Sequence, residues 1–399
     1  MAPVLDIGAL IDDPQTRVIV CCGAGGVGKT TVAAALGLRA AESGRRVVVL
    51  TIDPARRLAQ SLGLTTLDNT PRQVLSIDVA QGGSLDAMML DMKRTFDEVV
   101  MSHAAPDKAE QILANPFYQA VSSSFAGTQE YMAMEKLGQL RLEADRNPDN
   151  PRWDLIVVDT PPSRSALDFL DAPKRLGSFL DGRFIRLLAA PARVGGRAYL
   201  RVFTTGVNIV TTAMTKLLGG QMLTDVQTFV AALDTMFGGF RERADHTYAL
   251  LSDSATQFIV VAAPERDALR EASYFVDRLD EEGMPLAGLV VNRVHRVSAP
   301  GLSAARALSA AEELDDIENG RSSNGRSSGS SGVSESTAIT QALLRLHAVQ
   351  AEIAGRHQAL AKRFIAGHPD IPMVEVPAAS QDIHDLVGLR AVGEALAGQ

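Results

Sequence analysis

The chain has 399 residues, 46% hydrophobic, 22% charged and 5% aromatic, the balance of a globular protein with a large buried core. Its formal net charge of −8 provides no global positive field for phosphate backbones or anionic lipid, which argues against nucleic acid as a partner. No apolar run approaches the ~18 residues that cross a bilayer, and two cysteines are too few for a thiolate cluster.

The first residues, MAPVLDIGALIDDPQTR, are acidic and lack the basic start and apolar run of a secretory signal, so the chain reads as cytoplasmic. A β-branched run over Arg17 to Cys22 predicts a buried strand. Cys21 and Cys22 are adjacent within it, a poor geometry for a disulfide, and read as small buried strand residues.

The stretch VCCGAGGVGKTT follows. Gly23, Gly28, Lys29 and Thr30 satisfy G-x-x-x-x-G-K-[ST] between an apolar strand and a helix predicted over Lys29 to Glu42. Such a loop turns the backbone N–H groups of Gly25, Gly26, Val27, Gly28, Lys29, Thr30 and Thr31 toward one anion. Lys29 then reaches the terminal phosphates, and the Thr30 hydroxyl is a Mg²⁺ ligand. These residues predict a nucleotide-binding P-loop.

The second predicted strand, Arg46 to Ile52, delivers Asp53 to its carboxyl end, where α/β sheets place their ligands. Asp53 is a candidate for positioning the attacking water and for the Mg²⁺ shell. The alternative is a turn residue ahead of Pro54.

A third strand is predicted over Val74 to Val79. Beyond it, Leu85, Met88, Met89, Met92, Phe96, Val99 and Val100 follow the spacing of one helix face, and the pattern resumes from Tyr118 to Leu137. Val226 to Phe240 repeats it. The two regions, about 85–150 and 183–250, predict an inserted α-helical subdomain. Its apolar stripes read either as the subdomain's own core or as a groove for a client helix.

Leu155 to Asp159 predicts a strand ending in a carboxylate, a second Mg²⁺ candidate, followed by Thr160 and two prolines in the position of a nucleotide-sensing switch. Strands over Gln257 to Ala263, Leu286 to Asn292 and Ile371 to Val376, with helices over Arg266 to Glu282 and Ile339 to Ile365, complete the alternation. The prediction is one P-loop NTPase domain over 1–399, an α/β fold with a doubly wound, mainly parallel sheet. Residues 318–336, rich in Gly and Ser, predict a flexible surface loop. No N-K-x-D closes a late strand, so ATP is favoured over GTP, with Asn292 a candidate adenine contact or, alternatively, a turn residue.

With these residues in order, GAGGVGKTT, TIDPARRL, NPFYQAVSSSFAGTQEYMAMEKL, VVDTPPSRSALDFLDAP and VVNRV, the chain resembles the arsenite-pump and guided-entry family of ATPases. The resemblance implies ATP with Mg²⁺ as cofactors, Asp53 and Asp159 as the two switch aspartates, and Asn292 at the adenine. It also implies a dimer that couples hydrolysis to a protein client or membrane-protein partner. The family usually places a lysine at the second loop position, reaching across the dimer to the partner's ATP; here that position is Ala24. A heterodimer with a paralogue that keeps the lysine would restore the charge. The family's arsenite-binding and zinc-stapling cysteines are absent, and Ser163-Arg164-Ser165 replaces its usual Thr-Gly-His. A small-molecule kinase or synthetase and a partitioning ATPase are the alternative readings.

Overall fold

The computed structural model describes residues 3–52, 57–122, 128–147, 149–161, 245–323 and 335–398. Among these residues eight strands form one sheet: β1 (Val18–Cys22), β2 (Arg46–Thr51), β3 (Arg72–Gln73), β4 (Ser84–Met89), β5 (Leu155–Asp159), β6 (Thr256–Ala262), β7 (Leu286–Val294) and β8 (Met373–Pro377). Their order is β3-β4-β2-β5-β1-β6-β7-β8. Among the described residues only the short β3 runs antiparallel to its neighbour.

The central strands read VIVCC, RVVVLT and LIVVD, near-continuous apolar runs that suit a sheet covered on both faces. Side chains alternate between two cores. Val18, Val20, Val48, Leu50 and Val158 share one with Val99, Tyr118, Met132 and Phe275. Ile19, Cys21, Val47, Val49 and Val157 share the other with Val32, Leu36 and Leu389. The second core is roofed by α1 (Ile7–Asp12), α2 (Lys29–Glu42) and α3 (Arg57–Ser61).

The helices of the first insertion are α4 (Met92–His103), α5 (Pro106–Leu113), α6 (Pro116–Ser122) and α7 (Thr128–Asp145). Val99, Val100, Tyr118 and Leu137 are fully buried against the sheet and pack as core, while Phe125 lies outside the described residues. The second Met-rich region falls within 162–244, outside the described residues.

Two expectations need correction. The strand expected over Val74 to Val79 does not form: Leu75 and Val79 are exposed, and the chain there is irregular. Its place is taken by β4, which pairs parallel with β2 through Leu85, Met88 and Met89, residues expected on a helix face. In the strand Leu85, Ala87 and Met89 take one face and Met88 the other, but Leu85, Met88, Met89 and Met92 also stand at i, i+3, i+4 and i+7, and spacing alone does not separate so short an apolar run from a helix segment. Trp153, itself buried, ties β4 down by donating from Nε1 to Asp86 Oδ2 at 2.8 Å. The helix begins only at Met92, where the Asp91 side chain accepts from Arg94 N.

Beyond α8 (Arg266–Glu281) lie α9 (Ala304–Ser323), α10 (Glu335–Gly367) and α11 (Leu386–Leu396). The loop expected over 318–336 therefore begins later and ends earlier: residues 318–323 extend α9, and Glu335 and Ser336 open α10. Adding polar residues to an existing helix is propagation, far less costly than nucleating one. Residues 324–334 lie outside the described residues.

Arg45 joins the chain start to the sheet. Its Nε donates to Asp154 Oδ1 at 2.6 Å, Nη1 to Ile11 O at 2.7 Å, and Nη2 to Thr16 O at 2.8 Å and Asp154 O at 2.9 Å. Replacing it would leave several of these acceptors unmet. Arg45→Ala is expected to lower stability by about 2–3 kcal/mol in urea unfolding, with Arg45→Lys recovering less than half, because an ammonium cannot span the same fork.

Candidate functional site

The site grows from the carboxyl end of β1. Gly23 stands at φ 145°, and a Cβ there would lie 2.1 Å from Val261 O in β6, so only glycine lets the loop pass. Gly28 stands at φ 95° and ends the loop as the N-cap of α2 without any side-chain cap. The first-turn N–H groups of α2 are thereby left to a ligand instead of a capping side chain. Gly25 and Gly26 are exposed at the loop's tip.

Lys29 is buried, and its Nζ donates to Gly23 O at 3.0 Å and Ala24 O at 2.8 Å. The ammonium is held in the mouth of its own loop. Ala24 is 8% exposed and packs into the core beside Val27, so the position offers a methyl group where a donor is expected.

Asp159 closes β5 with its carboxylate fully buried. Thr30 Oγ1 and Thr51 Oγ1 each donate to Asp159 Oδ2 at 2.8 Å. Three elements thus meet on one carboxylate: the first turn of α2, the end of β2 and the end of β5. Thr160 fixes the chain beyond, donating from Oγ1 to Cys21 O at 2.9 Å. A hydroxyl and a carboxylate in contact at the loop are hard oxygen donors, the set that suits Mg²⁺.

Thr31 is half-buried in the first turn of α2. Asp53 lies outside the described residues; Ile52, just before it, donates its N–H to Asp159 O at 3.0 Å. Asn292, 7% exposed, lies on the far side of the loop, where its Nδ2 donates to Val27 O at 2.8 Å. Lys29, Thr30, Asp159 and Asn292 are therefore brought to one loop.

Two participants were missed from the sequence. Thr51 is the last residue of an apolar strand, and only the β2–β5 pairing, Thr51 opposite Asp159, turns its hydroxyl into a partner. Arg293 donates from Nη1 to Gly26 O at 2.9 Å, a contact across 267 positions with no local signal.

The thiols are shielded. Burial, with the Asp159 charge as the next cause, holds the Cys21 pKa well above the usual thiol range. Burial pushes Cys22 up to about 12. Both are neutral S–H groups at physiological pH, and Cys22 Sγ donates weakly to Ile259 O at 3.7 Å.

Residues 16–320 match the anion-transporting ATPase family. The chain belongs to that family. As an anion-transporting ATPase family member with an intact glycine-lysine-threonine loop, it is a nucleotide-binding protein of the P-loop class. A Mycobacterium tuberculosis protein is 32% identical over 186 residues, 42% of this chain and 40% of its own length. The ATPase BagA of the same organism is 30% identical over 171 residues, 42% of this chain and 48% of its own. The chain thus spans under half the length of these two relatives. The ATPase GET3C of Arabidopsis thaliana is 23% identical over 289 residues, covering 70% of this chain and 67% of that protein. Among the described residues, no helix of this family member is long and apolar enough to cross a membrane.

Raised thiol pKa values mean less thiolate at a given pH, and burial blocks approach. At pH 8 a colorimetric thiol reagent is expected to modify neither Cys21 nor Cys22 in the folded protein and both after unfolding; reaction of the folded protein would show that β1 opens readily.

Proposed function

We propose that this protein binds Mg²⁺·ATP and hydrolyses it as a dimeric switch that acts on a protein partner in the cytoplasm. The observation that carries the reading is the carboxylate of Asp159 gripped by Thr30 and Thr51, a few residues from the Lys29 ammonium at the mouth of the loop.

In this reading the N–H groups of Gly25 to Thr31 take the phosphate oxygens. Lys29 exchanges the carbonyls of Gly23 and Ala24 for a phosphate, so binding replaces two hydrogen bonds and leaves no buried cation without partners. Thr30 and Asp159 would hold Mg²⁺, which neutralises charge on the phosphates, with Asp53 alongside. Asp53 orients water for attack, and Asn292 stands at the adenine side. Thr51 and Thr30 orient the carboxylate of Asp159, and a change in its partners is carried to β2 and β5 together, a route from phosphate to the segments that follow both strands.

Ala24 removes the cation that the family resemblance assigns to the partner's active site. A charge delivered in trans to phosphoryl transfer is worth ~10³–10⁵ in rate. The proposed working form is therefore a heterodimer with a paralogue that retains lysine. A relative from Halobacterium salinarum is named a putative arsenical pump-driving ATPase, 28% identical over 189 residues, 47% of this chain and 28% of that protein, which supports coupling to a protein partner. The neutral, buried thiols give no support to a metalloid cargo here.

Steady-state ATP hydrolysis tests the reading. The wild-type chain is expected to turn over slowly, and chelation of Mg²⁺ or Asp53→Asn to abolish the activity. A lysine-bearing paralogue, or Ala24→Lys in this chain, is expected to raise the rate by at least ~10²-fold. Rapid turnover by the isolated wild type would overturn the trans-lysine reading. No hydrolysis under any of these conditions would overturn the ATPase reading.

A further inference from the structure

Helix α8 follows β6 and helix α10 precedes β8, and a cleft of about 440 Å³ opens between the two helices. None of its described lining residues is among those placed at the phosphate loop. Helix periodicity builds both walls. On α8, Arg266, Arg270 and Ser273 stand at i, i+4 and i+7 with Leu269 among them, and on α10 Leu360 and Phe364 stand one turn apart beside Arg363. Leu269 and Phe364 are buried and Leu360 packs against the same core, so the floor is apolar. Arg266, Arg270 and Arg363 are exposed, so the rim is cationic.

That charge is not neutralised from within. Among the described residues no Asp or Glu lines the cleft. The acids on the adjoining turns of α8 already face other cations: Asp267 Oδ1 lies 3.1 Å from Arg270 Nη2, and Asp277 Oδ1 lies 3.8 Å from Nδ1 of His368 at the cleft's end. Arg266 and Arg363 have no ion pair or hydrogen bond with a described residue through their guanidinium groups, whereas Arg45 is paired with Asp154, Arg278 with Glu282 and Arg390 with Glu42. Two uncommitted guanidinium groups from two helices therefore line one cleft. In a chain of net charge −8 they concentrate positive charge against the mean.

The two parts of the cleft ask for two parts of a ligand. Guanidinium forks match the paired oxygens of a carboxylate or a phosphate, and the apolar floor is covered only if a hydrocarbon segment is joined to that group. The volume falls in the range of small-molecule sites, ~300–1,000 Å³. A lipid that stays in a bilayer presents its head group alone and leaves the floor uncovered, so a free monomer fits the cleft better than a membrane surface does.

We infer that the cleft between α8 and α10 binds a single-chain anionic amphiphile, its carboxylate or phosphate head group held by Arg266 and Arg363 and its chain lying on Leu269, Leu360 and Phe364. Binding of this ligand does not require nucleotide, because no residue of the phosphate loop takes part.

Calorimetric titration of the nucleotide-free full chain with decanoate below its micelle concentration tests it, with hexanoate and the uncharged octyl glucoside as comparisons. Each buried methylene adds about fourfold in affinity, so decanoate is expected to bind at least about tenfold more tightly than hexanoate even with part of its chain in water. Arg266→Gln combined with Arg363→Gln changes two exposed side chains and leaves the fold intact; it is expected to weaken decanoate at least about tenfold and to leave octyl glucoside within about twofold. Equal affinities for hexanoate and decanoate would show surface ion attraction only and overturn the amphiphile site. Decanoate binding that is absent, or unchanged in the double variant, would overturn the assignment to this cleft. Cosedimentation with phosphatidylglycerol vesicles that is lost in the double variant but not displaced by decanoate would assign the arginines to a membrane surface and overturn the monomer as ligand, and hexaglutamate binding as tightly as decanoate would assign them to an acidic protein segment instead.

Discussion

The site depends on how closely the backbone after β1 passes the end of β6. At Gly23 the loop leaves no room for a Cβ against Val261 O, and from that contact the positions of Lys29 and Thr30 follow, because α2 starts where the loop ends. A loop displaced outward would move the Thr30 hydroxyl off Asp159 and the Lys29 ammonium off the loop mouth. The hydrogen-bonded cluster is thus a consequence of backbone contact, and the side chains report on it.

Electrostatics then sorts the buried groups by role. Lys29 and Asp159 are both buried beneath the loop in charge-bearing positions, each hydrogen-bonded, which is the condition for keeping charge in an interior. Cys21 and Cys22, both on β1, stay neutral, since burial disfavours a thiolate and the Asp159 carboxylate opposes it further at Cys21. In a chain of net charge −8, the exposed Arg293 at the tip of the loop and the buried Lys29 at its mouth place positive charge at two points of one loop, so attraction for an anion is local even though the whole molecule is acidic.

The parts of this arrangement that could be read from the sequence are those encoded within a few residues. The loop glycines, Lys29 and Thr30 form one contiguous motif, and Asp159 closes a strand that is apolar throughout. β1, β2, β5, β6 and β7 were legible for the same reason, as short β-branched runs between turns. β4 was not, because its alternation spans only six residues and its Leu85, Met88 and Met89 also fit the face of a helix that continues into Met92. α9 outlasted its composition because helix propagation tolerates residues that could not nucleate a turn. Thr51 and Arg293 were hidden for a different reason: each acts through a pairing between distant segments, β2 with β5 and β7 with the loop.

Between Val291, which pairs with Glu375 of β8, and Val294, which pairs with Pro377, β7 carries one extra residue, and this bulge makes the site sensitive to chain length. Removing one residue between Val291 and Val294 would restore an even ladder with β8 and would improve the sheet as a sheet. It would also return consecutive side chains to opposite faces, so that only one could grip the loop. Descendants of this sequence can therefore accept substitutions along β7 more readily than a single-codon deletion there, which would leave the fold intact and unfasten the carbonyls behind the phosphate cradle.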